Sequence, residues 1–60
     1  MEELTEIELE NLKNLIIYND VSYQKLNMYS ANSVDPQIKQ MFTKAAQDSL
    51  NIKQKLLSFL

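Results

Sequence analysis

The residues of this chain able to do chemistry gather around the middle of each half. Tyr18, Asn19, Asp20, Ser22 and Tyr23 lie in the first half, Asp48 and Ser49 in the second, and Tyr29 stands nearer the centre. Carboxylates meeting at mid-height in a helical bundle are the arrangement that holds two metal ions. That chemistry takes inward-facing Glu residues and a Glu-x-x-His motif. There is no His, and no Glu follows Glu10, so Asp20 and Asp48 stand alone and form a poor iron site. Asn19 and Ser49 then read as small, hydrogen-bonded residues that fix helix register. The three tyrosines suit radical or cross-linking chemistry, but a helical tyrosine more commonly packs its ring at a boundary and leaves its hydroxyl in water. A serine nucleophile needs an adjacent base, and a chain without His, Cys or Gly offers neither the base nor a loop that could approach a substrate closely. The expectation is a protein that is not an enzyme and has no metal or other cofactor.

Composition narrows the partners. All six cations are lysines against eight acidic residues, a net charge of −2. Without arginine the bidentate contacts that read guanine or clamp phosphate cannot form, so nucleic acid is not an expected partner. The opening "MEELTEIELE" is acidic where a secretory signal would be basic and then apolar, and no apolar run approaches the roughly 20 residues of a membrane span. Synthesis in a reducing cytoplasm is the expectation.

What positions these residues must be helical. The absence of Gly and the many Leu, Lys, Glu, Gln and Ala residues favour helix throughout. Thr5 reads as an N-cap, with Glu8 completing a capping box. The first apolar stripe runs Leu12, Leu15, Tyr18/Asn19, Ser22/Tyr23, Leu26, Tyr29. "SANS" then supplies small polar residues that end helices. Asp35-Pro36 restarts the chain, because Asp35 can cap free amides and a proline at the first helical position loses no hydrogen bond. The second stripe is Ile38, Phe42, Ala45, Ser49, Ile52, Leu56, Phe59. The spacing predicts one domain over 1–60, an all-α antiparallel two-helix hairpin. Its first helix spans about 5–31, its turn about 32–35 and its second helix about 36–60.

Folding about that turn brings position i near 67 − i. Leu26 then faces Met41, Ser22 faces Ala45, Leu15 faces Ile52 and Leu12 faces Leu56. The same register sets Glu2, Glu3, Glu6, Glu8 and Glu10 beside Lys53 and Lys55, where each group also complements its own helix dipole.

A further apolar set lies off these stripes: Ile17, Val21 and Met28 on the first helix, Ala46, Leu50 and Leu57 on the second. A lone hairpin needs one stripe per helix, so the extra one implies more burial. Sixty residues without disulfide or metal make a marginal fold, and self-association is the remaining remedy. These six residues are therefore the expected protein–protein interface of a homodimeric four-helix bundle or higher oligomer. A groove for a foreign helix is the alternative.

From Asn11 onward, "NLKNLIIYNDVSYQKLNMYSANSVDPQIKQMFTKAAQDSLNIKQKLLSFL" resembles the coat F family of spore coat proteins of endospore-forming bacteria. The resemblance rests on the Leu9-to-Lys13 start of the first helix, Tyr18 and Tyr23 within it, and the reversal "SANSVDPQIKQMF" with Asp35, Ile38 and Lys39. Where many relatives hold a His-containing segment this chain reads "AAQDSLNIKQ", and a Tyr- or Gln-rich tail is absent. The resemblance implies a ferritin-like helical pair and a structural role without enzyme activity. It also implies other spore proteins as partners and a place at the forespore surface or in the coat. The competing function is a small regulatory hairpin that docks on a larger protein. Short hairpins that act as aspartyl-phosphate phosphatases carry Ser-Gln-Glu-Leu-Asp, and "AQDSL" does not match it.

Overall fold

The computed structural model describes residues 4–60, so the expected pairing of Glu2 and Glu3 with lysines lies outside the described residues. Two helices pack side by side: α1 (Glu6–Asn32, 27 residues) and α2 (Pro36–Leu57, 22 residues). No helix among the described residues is long and apolar enough to cross a membrane.

Each helix begins where a local motif satisfies its free amides. The Thr5 hydroxyl accepts from the Glu8 amide, and a Glu8 carboxylate oxygen accepts from the Thr5 amide, both at 3.1 Å. The Thr5 amide and hydroxyl hold the Glu8 carboxyl below its usual range. At the second start Asp35 Oδ1 accepts from the amides of Gln37 (2.8 Å) and Ile38 (3.4 Å), with Pro36 at the first helical position. The corner is shorter than 32–35. α1 continues through Ser30, Ala31 and Asn32, whose small side chains do not break it, and Ser33 caps it with its amide donating to Ser30 O. α2 stops at Leu57 instead of reaching residue 60. The Ser58 amide is shared between Gln54 O and Lys55 O, and the Phe59 and Leu60 amides turn to carbonyls three residues back, tightening the chain out of the α-helix.

The seam keeps Leu12, Asn19, Tyr23 and Leu26 of the first expected stripe and Phe42, Ala45, Ser49 and Leu56 of the second, and leaves Leu15, Tyr18, Tyr29, Ile38, Ile52 and Phe59 outside. On α1 the partly or fully buried residues include Leu9, Leu12, Ile16, Asn19, Tyr23, Leu26 and Ser30 in steps of three and four, with Asp20 and Ser22 beside them. On α2 they include Phe42, Ala45, Ala46, Ser49, Leu50, Lys53 and Leu56. Leu15 and Ile52, expected to face each other in the core, are each 49% exposed, and Met41 stands largely clear of Leu26. The polar cross-helix pairs Asp20–Lys53 and Ser30–Thr43 meet at 73 − i and the Tyr29–Phe42 contact at 71 − i, beyond the expected 67 − i. Part of that shift is the lean of helical side chains toward their own N-termini, which in antiparallel helices moves facing partners further along both chains. Leu12 and Leu56 still share one apolar cleft at the open end.

The seam is held by polar as much as apolar contacts. Asn19, 7% exposed, donates from Nδ2 to Leu15 O at 2.8 Å, which satisfies it within its own helix. Ser30, equally buried, donates to the Thr43 hydroxyl at 2.6 Å, and Thr43 Oγ1 in turn donates to Lys39 O at 2.9 Å. Tyr29 and Phe42 stack obliquely, ring centres 5.5 Å apart. Lys53 reaches back along the seam to Asp20 at 2.7 Å. Among the described residues this is the one ion pair, so Lys53 takes a mid-hairpin partner, and Lys55 forms no ion pair with Glu6, Glu8 or Glu10.

Candidate protein–protein interface

The hairpin is a single layer, 46 × 17 × 10 Å along its Cα axes. Domains usually bury apolar faces between two layers. Here Ala46 is the only buried hydrophobic residue among those described, and no large side chain is fully buried. The surface, not the seam, carries most of the apolar material.

The six expected interface residues do not form one patch. On α1, Ile17, Val21 and Met28 are exposed, and helical spacing sets them on the edge opposite the seam. On α2, Ala46 is 1% exposed and belongs to the seam, which removes it from any partner-facing role. Leu50 is half-buried beside it, and Leu57 is exposed on the same side. The physical reason is rotational. At about 100° per residue, Ala46 and Leu50 fall close to Lys53, which faces α1, whereas Ile17 and Val21 both fall almost opposite the buried Asn19. The α1 set faces outward while the α2 set faces inward and to the back.

A continuous apolar surface does cross both helices, and all of it but Leu4 is made of residues expected in the core. Leu4, Leu15, Tyr18, Ser22 and Tyr29 recur along one flank of α1. Ile38, Met41, Ala45, Ile52 and Phe59 recur along the flank of α2 on the same side. The common side is fixed at the open end, where Leu4, Leu12 and Leu15 line one cleft of about 280 Å³ with Leu56 and Phe59. It is fixed near the corner by the Tyr29–Phe42 contact. Small residues Ser22, Ala45 and Ser49 occupy the middle of this front face, so its centre is shallow. The opposite, back face carries the Asp20–Lys53 pair, with Gln24 Nε2 donating to the second Asp20 oxygen at 3.2 Å. The hairpin as a whole is amphipathic.

The mid-chain polar residues take separate places on this frame. Both Asp20 oxygens are engaged by protein donors, and Asp48 is exposed. Among the described residues no three His, Cys, Asp or Glu side chains gather as a metal site. The Ser30–Thr43 hydroxyl pair ends on the Lys39 carbonyl, to which Thr43 Oγ1 donates at 2.9 Å. Tyr18 projects from the front face and Tyr29 packs on Phe42, positions suited to contact. No protein-family model matches this chain, and no curated protein or solved structure matches it either.

Proposed function

We propose that this chain is a non-enzymatic structural protein that acts by self-association, two hairpins closing face to face into a four-helix bundle. The observation that carries the reading is the near-empty interior: a single layer with one buried hydrophobic residue among those described, Ala46, and many large apolar side chains outside. Leu15, Tyr29, Ile38 and Ile52 are each about half exposed. Completing the burial of one such side chain contributes roughly 1 kcal/mol, about half the value of a full transfer from water. Summed over both copies, this is on the scale of the stability of a small domain. The resemblance of "SANSVDPQIKQMF" and its surroundings to the coat F family supports a place in a spore layer, with other spore proteins as neighbours.

Sedimentation and circular dichroism over a hundredfold dilution test the association. Melting temperature and helix content should fall together with concentration, since only the associated form is fully folded. A helical monomer whose melting ignores concentration would favour the second reading, a regulatory hairpin that docks on a larger protein; the apolar cleft at the open end favours that alternative. The spore role is tested by a fluorescent fusion in an endospore former. Signal confined to sporulation and surrounding the forespore supports it, and diffuse vegetative signal sinks it.

A further inference from the structure

The front face is large enough, and charged in the right places, to specify its occupant. The accessible surface is 5051 Å² for a 7.0 kDa chain. A compact monomer of that mass exposes about 4,000 Å² by the usual scaling. The excess, about 1,000 Å², is close to the roughly 800 Å² each partner contributes to a standard stable interface. It also fits one side of a slab measuring 46 × 17 Å, which a second copy of the same length covers from end to end. Small residues at the centre let the helices of two such faces approach closely there, with the same patch used on both copies, as in a two-fold interface.

Charge then fixes the orientation. Lys25 lies on the α1 rim of the front face and Asp48 on the α2 rim. The observed 73 − i register sets these two residues level with each other on opposite sides of the slab. We infer that two copies pack front to front about an axis parallel to the helices, corners at the same end. α1 of each copy then lies over α2 of the other, and each Lys25 comes beside the second copy's Asp48. A two-fold axis across the helices would instead lay α1 over α1 and separate these charges. The inference rests on the self-association reading and adds to it a face and an orientation.

The chain has no cysteine, so single introduced thiols report on the surface without interference. Tyr18 and Ile17 are neighbours of nearly equal exposure in one hairpin, 67% and 61%, one on the front face and the other on the outer edge. At concentrations where the protein is folded and associated, the thiol of Tyr18→Cys should react with maleimide at least tenfold more slowly than that of Ile17→Cys. Ser22→Cys serves as the front-face probe if Tyr18→Cys weakens folding. Equal rates in a protein that sediments as a dimer overturn the face while leaving self-association standing. A monomer at every concentration overturns both. Orientation is read by carbodiimide cross-linking of a mixture of isotope-labelled and unlabelled protein. Links joining Lys25 to Asp48 with one labelled and one unlabelled partner are expected. A protected front face without such mixed links overturns the same-end arrangement.

Discussion

Replacing Asp35 by alanine tests the corner from which both helices take their direction. The side chain accepts two amides, but only the Gln37 bond, at 2.8 Å, is well formed; the Ile38 contact at 3.4 Å lies past the favourable range. The backbone bond from the Lys39 amide to Asp35 O survives the change, and Pro36 keeps its preset φ. One good capping bond is therefore at stake, which places the loss near the middle of the 0.5–2 kcal/mol range, at about 1 kcal/mol per chain. For a domain of this size that is a fall in melting temperature of about 4–8 °C. Thermal circular dichroism at one fixed protein concentration measures it, with Asp35→Asn as the companion that keeps the acceptor and removes the charge. Asp35→Asn should recover most of the loss, since asparagine caps as well as aspartate. A melting temperature for Asp35→Ala within a degree of the parent would refute the reasoning, because α2 would then start without help from this residue.

Three more outcomes follow from particular contacts. A double-mutant cycle with Asp20→Asn and Lys53→Gln should give a coupling of about 0.5–1 kcal/mol, the upper part of the range for partly exposed pairs; additive losses would show that the ion pair carries no stability. Ser30→Ala should cost about 0.5–1.5 kcal/mol by denaturant titration, and less once Thr43→Val is present, because their hydroxyls bond each other; equal losses in both backgrounds would contradict that bond. The Glu8 carboxyl titrates below its reference value of 4.5 because Thr5 donates to its ionised form, so its stabilisation is present above that value and fades as pH falls through the lowered one. The melting difference between parent and Glu8→Gln should shrink on acidification below pH 4.5, and a difference that is constant with pH would count against the capping box.

The sequence reading reached the parts of this fold that depend on neighbours a few residues apart. Thr5 with Glu8, and Asp35 with Pro36, are complete motifs within four positions, and both helices begin where those motifs require. Periodicity also identified an apolar side on each helix. It did not resolve which half of that side meets the other helix, because Leu12 and Leu15, or Phe42 and Ile52, fall on one broad stripe. A hairpin seam takes only part of such a stripe, and the remainder becomes surface. That is why the core expected from Leu15, Tyr18, Met41 and Ile52 is instead an outward face, and why Ala46 changed from interface to seam. Ser30 was read as a turn former when it is a buried hydroxyl partner of Thr43. Both are small polar residues, and only the three-dimensional register brings them level. Lys53 was assigned to the nearest block of opposite charge, but its reach along the seam selected Asp20.

The corner has a consequence for how the chain assembles in time. Ser30–Thr43 closes a span of 13 residues and Asp20–Lys53 one of 33. Loop-closure entropy rises with the logarithm of length, so meeting first at the longer span costs about 0.8 kcal/mol more than meeting at the shorter. The inexpensive route is a zipper: the hydroxyl pair and the Tyr29–Phe42 stack engage first, and the ion pair then closes over an already shortened loop. The Leu12–Leu56 end joins last. Run backwards, the same sequence makes the open end the first to part, so amide exchange should rise steadily from the corner toward Leu9 and Leu56.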